Sequence, residues 1–196
     1  MGLSIHYNGR FNKEASLSEM IEEVKDIAEV YNWNYHIFEK QFPENSIGRN
    51  SYTDKVYGIS FSPPGCEPIW LTFLSNGRMS SPLNLEFFGN SEDKAERKYL
   101  YMLSTKTQYA GIDVHRIIIH LLKYLSKRYL KQFNLTDEGK YWETNDEKLL
   151  EEIFRRYDDL IDSFSTALEN VPIKSGETFE EYFSRILKII QRKKNG

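Results

Sequence analysis

Cysteine is nearly absent from this chain, and Cys66 stands alone. No intrachain disulfide can form, and the same count excludes a cysteine-built zinc site. Long apolar runs are missing too. No window approaches the roughly 18 to 20 consecutive apolar residues that a membrane helix needs, and the start MGLSIHYNGR lacks the apolar stretch of a secretory signal. A myristoylation motif fails because it wants Ser or Thr where His6 stands. These absences lead to the expectation of a cytoplasmic protein without membrane association. Charge of one sign is not in large excess: 26 Lys and Arg face 29 Asp and Glu, a net charge of −3. Global attraction to a phosphate backbone is therefore lacking, which disfavours nucleic acid as a partner unless a local patch supplies it.

What the chain does have is core-forming material. Its 196 residues are enough for one well-buried core, and a hydrophobic share of 40% with 14% aromatics supplies the side chains to fill it. LSIHYNG alternates Leu3, Ile5 and Tyr7 with polar neighbours, the period of a strand with one buried face. SLSEMIEEVKDIAEVY changes to helical spacing, opened by Ser16 and Glu19 as a capping box. Four further strands are predicted in NYHIFEK, KVYGISF, EPIWLTFL and PLNLEFF, and a sixth in RKYLYMLSTKTQY.

Beyond Gly111 the period is helical. A central helix over 112–133, a second over 146–170 and a third after the Thr178/Glu181 capping box are expected. The predicted fold is α+β and a single domain. Its mostly antiparallel sheet of about six strands is packed by the N-terminal and central helices, and a C-terminal helical hairpin follows. Residues 1–110 form the sheet-rich part and 111–196 the helical part.

Recognisable chemistry is sparse. There is no P-loop glycine spacing, no G-x-S-x-G elbow and no metal motif: His115 and His120 are five apart, so they do not share a helix face. His6 and His36 become neighbours only if the first two strands pair in parallel, and a pair alone is a poor ligand set. No cofactor is implied. Cys66 beside Glu67 has a neighbour that opposes thiolate formation. STKTQYAGIDVH sets Lys106 and Thr107 just before a helix that can face an anion, although Asp113 in its first turn opposes one.

Two other stretches have both a structural and a binding reading. In TDEGKYWETNDEKL, Thr144 and Glu147 read as a further capping box, with Tyr141 and Trp142 as an apolar plug where the helix begins. Alternatively, the two rings recognise a ligand or partner between Asp137, Glu138 and Glu143. Arg116, His120, Lys123, Lys127 and Lys131 recur at three or four residues, a basic stripe that faces solvent, an acidic partner, or the acidic side of the 146–170 helix.

The segments TKTQYAGIDVHRIIIHLLKYLSKRY and DEGKYWETNDEKLL, with LSIHYNGR and GISFSPPGCEPIWLTF, resemble an uncharacterised family of bacterial cytoplasmic proteins. That resemblance implies no activity, cofactor or catalytic residue. With no nucleophile–base set visible, the reading favoured by the residues is a non-catalytic protein that binds another protein, in an adaptor or immunity-like role. Its contact residues are expected at Tyr141, Trp142, Arg116, His120, Lys123 and Lys127. The alternative is an enzyme acting on a small or phosphorylated molecule near Lys106, Thr107 and Glu138, with His115 as general base.

Overall fold

The computed structural model describes residues 2–194, with side chains to residue 190. It is α+β, and its six strands divide into two three-stranded antiparallel sheets instead of the single sheet expected. In the first, β1 (Ser4–Phe11) lies between β5 (Leu103–Lys106) and β6 (Leu130–Asp137). In the second, β3 (Val56–Ser62) lies between β2 (Asn34–Ile37) and β4 (Ile69–Leu74). β1 and β2 are thus in different sheets, and the parallel pairing that would join His6 to His36 does not form. The sheets meet where residues 78–80, returning from β4, run beside the end of β1. Phe11 N donates to Gly77 O at 2.7 Å, and Met79 N donates to Gly9 O at 3.0 Å.

One core spans both sheets. Helix α1 (Leu17–Val30) buries Met20, Ile21, Val24 and Ala28, the residues its helical period placed on one side. Ser16 caps it, the hydroxyl accepting from Glu19 N at 3.2 Å. Helix α3 (Gly111–Tyr129) contributes Ile118, Leu122 and Leu125 to the same core.

Three stretches depart from the sequence expectation. PLNLEFF is a helix, α2 (Pro82–Phe88), because Ser81 accepts from Asn84 N at 3.1 Å and Pro82 takes the first helical position, where its missing N–H costs nothing. In RKYLYM the chain makes a 3-10 turn over Tyr99–Tyr101, and only Leu103–Lys106 is strand. The central helix stops at Tyr129, four residues short of the expectation, and residues 130–137 pair with β1 through Tyr7–Leu135 and Phe11–Leu130. Pairing with β1 satisfies one edge of this segment on either side of an irregularity at Gln132–Phe133, so tertiary context overrides a helical period that ran on through Phe133.

After a single turn, α4 (Tyr141–Thr144), the long helix α5 (Glu147–Asn170) and α6 (Phe179–Lys194) form the C-terminal hairpin. Leu150 and Phe154 of α5 join the main core, while Ala167, Tyr182, Ile186 and Ile190 make a smaller one between the two helices. Thr178 and Glu181 form the full capping box at α6, each backbone N–H bonded to the other's side chain at 2.9 and 3.3 Å. The cap of α5 is Asp146, which accepts from Leu149 N at 3.1 Å; Thr144, expected in that role, donates instead to Lys140 O at 2.7 Å. Among the described residues no helix is long and apolar enough to cross a membrane.

Candidate functional site

Where β5 ends, Thr107 enters a 3-10 turn, Gly111 (φ +84°) reverses the chain, and α3 carries His115 back over Thr107 one turn later. β6 ends at Asp137 against the other side of the same imidazole. The outcome is a linear array: Thr107 Oγ1 lies 2.8 Å from His115 Nδ1, and His115 Nε2 lies 3.2 Å from Asp137 Oδ2. A carboxylate only accepts, so Nε2 carries a proton, and in the neutral ring Nδ1 accepts from the threonine hydroxyl.

Asp137 also accepts from Gly139 N at 2.7 Å, Tyr141 N at 2.8 Å and Trp142 N at 3.0 Å. Burial pushes its carboxyl upward, but the hydrogen bond and charge of His115, with the Trp142 and Gly139 amides, outweigh burial and hold it below the ordinary range. The Cβ of any residue replacing Gly139 would lie 2.8 Å from Leu150 Cδ1 and 3.0 Å from His115 Nε2. A larger residue there must shift the Leu150 side chain and crowds His115 and Asp137. Phe154 of α5 closes it from the far side, its ring centroid 5.5 Å from that of His115.

Hydroxyl, imidazole and carboxylate stand here in the order that relays a proton during nucleophilic catalysis. Access decides what they can do. The side chains of His115 and Asp137 are 0% exposed, and so is Thr107 as a residue. None of the described grooves is lined by them. Each polar atom is spent on a neighbour, so the array fastens β5, α3, β6 and α4 to one another.

The other residues singled out in the sequence scatter around this array. Lys106 faces β1's start, and its backbone N–H donates to Glu67 Oε2 at 2.9 Å. Glu138 accepts from Ser4 N at 2.7 Å and lies 3.6 Å from His6. Tyr141 is buried and meets His120, ring edge to face, with its hydroxyl 3.3 Å from Nε2; Trp142 packs on Phe133. These are plug contacts. Arg116 pairs with Glu147 at 2.9 Å, which joins the basic face of α3 to the acidic face of α5. Lys123 donates to Asn145 Oδ1 and lies over the rings of Tyr141 and Trp142. Lys127 is exposed. Burial, followed by the charge of Glu67, pushes the Cys66 thiol up to about 12, which makes it a poor nucleophile at neutral pH. Among the described residues no three His, Cys, Asp or Glu side chains stand close enough to hold a metal.

The open surface that sequence reasoning missed belongs to α2 and the turn after it. Leu83 and Phe87, four apart on one face of α2, are 54% and 69% exposed, and Tyr99 and Met102 are 44% and 53% exposed. Asn84 fixes these two pieces together, its amide donating to Tyr99 O at 2.9 Å and Met102 O at 2.8 Å. The amphipathic period of LNLEFF was available as a signal, but its aromatic content reads equally well as strand. No family model, curated protein or solved structure matches the chain.

Proposed function

We propose that the protein is a non-catalytic binding protein of the cytoplasm whose partner is another protein, in an adaptor or immunity-like role. The observation that carries this reading is the exposed apolar face of α2 and the 99–102 turn. Leu83, Phe87, Tyr99 and Met102 are grouped outside the core on a frame held by Asn84. Grouped apolar side chains left in water mark contact surfaces, and aromatics and Met are enriched in such surfaces. The residues first considered for contact, Tyr141, Trp142, Arg116 and Lys123, are largely committed to packing and ion pairs within the chain. The test is capture from the native host with wild-type protein and with Phe87→Glu as bait. A protein retained by the wild type and lost with Phe87→Glu is the expected result; identical recovery with both baits would refute the reading.

One observation favours a second reading. Thr107, His115 and Asp137 keep relay order, the arrangement an enzyme with His115 as general base requires. That reading needs an opening that admits substrate. Turnover of a small or phosphorylated molecule, abolished in a folded His115→Gln variant, would establish it over the first.

A further inference from the structure

The register that joins the two sheets also sets like charges together. Arg10 of β1 and Arg78 of the returning segment form a β-bridge. Both residues, with Lys98, line an open groove of about 480 Å³ whose other lining residues include Asn8, Gly9, Gln132 and Asn134. The Arg78 guanidinium carbon lies over the Tyr101 ring, 3.2 Å from its centroid. Arg78, Lys98 and Tyr101 also wall an adjoining groove that brings in Lys94 and Arg97. On the opposite side Arg10 and Gln132 wall a third groove, with Lys13 and Lys131. Seven cations therefore follow one continuous trough.

Its charge is unbalanced. The chain has 29 acidic residues, yet no Asp or Glu lines any of the three grooves. Among the described residues, only Lys131 of the seven takes part in a salt bridge, 3.9 Å from Glu14, whereas Arg116, Arg128 and Arg185 outside the trough each do. Holding two guanidinium groups side by side without a counter-charge is unfavourable, and an incoming anion relieves it. Burial chiefly lowers the Arg78 pKa; Tyr101 opposes the shift and the charge of Arg10 adds to it.

We infer that this trough binds an acidic, extended stretch of a protein partner, its carboxylates meeting Arg10, Arg78 and Lys98 while apolar side chains of the same partner rest on Met102 and Tyr99. Met102 belongs both to the central groove and to the apolar face, which makes the two surfaces continuous. The inference rests on the protein-binding reading and names the chemistry of that partner. A planar guanidinium fork, already oriented by the Tyr101 ring, matches a carboxylate with two parallel hydrogen bonds. A single-stranded nucleic acid would use the cations equally, but it also draws on open aromatic faces for its bases. Of the rings that line the trough, Tyr101 carries Arg78 over its face, Phe11 is buried, and Tyr52 is tied through its hydroxyl to Gly89 O at 2.7 Å, while the open rings of Tyr99 and Phe87 lie beside the trough and outside its lining.

The test uses the full chain and fluorescein-labelled deca-glutamate, with binding followed by anisotropy and an equally long labelled DNA oligonucleotide run in parallel. Saturable peptide binding is expected, weakened by about tenfold in Arg78→Gln and in Lys98→Glu and unchanged in Lys127→Glu. Lys98 and Lys127 are both exposed, so the second and third variants keep the comparison valid if Arg78→Gln folds poorly. Absence of peptide binding, or an equal loss in Lys98→Glu and Lys127→Glu, overturns the inference. So does tighter binding of the oligonucleotide with the same dependence on Lys98, which would assign the trough to nucleic acid. If those failures occur while capture of a partner still depends on Phe87, only the acidic-chain inference falls; if the Phe87 dependence is absent, the protein-binding reading falls as well.

Discussion

Two polar regions of this molecule are built in opposite ways. Around His115 every hydrogen-bonding atom of Thr107, the imidazole and Asp137 meets a neighbour, and no side chain of the three reaches solvent. In the trough beside Arg78, five cations, two of them half-buried, line open grooves with no carboxylate paired to them, and the next surface along is exposed apolar α2. Burial raises the cost of any unpaired polar group, so an interior array is retained when it is complete. Exposed charge costs little and can stay unpaired until something binds. Completeness here goes with holding the fold, and incompleteness with the contact proposed for the open face.

That comparison breaks most readily at Asp137. Replacing it with Ala leaves His115 and three backbone N–H groups without an acceptor in the interior, a loss of about 3–5 kcal/mol, which urea unfolding would measure. Gly139→Ala follows. Its new Cβ would lie 2.8 Å from Leu150 Cδ1 and 3.0 Å from His115 Nε2, an overpacking worth about 1–3 kcal/mol. Thr107→Val keeps the shape of the side chain while removing the partner of Nδ1, for about 1–3 kcal/mol. On the open side, Phe87→Glu at a 69% exposed position should change stability by no more than about 0.5 kcal/mol.

Acid gives the comparison a second edge. The Asp137 carboxyl is held below its ordinary value in the folded chain, so it binds its proton less readily there than in the unfolded chain. Its contribution is fully present above the unfolded carboxyl pKa of about 3.9 and is lost as pH falls through the lower folded value. Acid unfolding curves should show that limb in the wild type and a shallower one in Asp137→Asn. The smallest effect is expected at Glu177, held down to about 2 chiefly by its hydrogen bond to Arg185. Glu177→Gln should loosen only the turn between α5 and α6, visible as faster amide exchange near residue 182 and little change in global melting.

Much of the scaffold was legible because local signals agreed with tertiary structure. Ser16 and Thr178 announced their helices, and the apolar spacing of α1 and α3 marked the faces that are now buried. Sheet partnership was not legible: β1 and β2 share a period of two, and nothing in that period says which strand lies beside which. β6 was hidden because Leu130 and Phe133 continue the helical spacing of α3 as comfortably as they serve a strand. α2 was masked by its aromatics, although Ser81 and Pro82 were the signs of a helix start.

The candidate sites were legible to different degrees. Thr107, just before α3, and His115, within it, were singled out beforehand, and they are hydrogen-bonded; Asp137 completes them from the end of an unforeseen strand. Of the two grouped with them beforehand, Glu138 accepts from Ser4 N, and Lys106 stands opposite Ser4 across the β1–β5 pair. The trough had no local signature at all, since Arg10, Arg78 and Lys98 are joined only by the β-bridge between two sheets and by the turn over Tyr101.

The central claim is that the enclosed array holds the fold while the open face makes contact, and one paired measurement tests it: thermal unfolding and partner capture on Thr107→Val and Phe87→Glu. The expected result is a lowered melting temperature with capture intact for Thr107→Val, and an unchanged melting temperature with capture lost for Phe87→Glu. Full stability with lost function in Thr107→Val, or intact capture in Phe87→Glu, would contradict it.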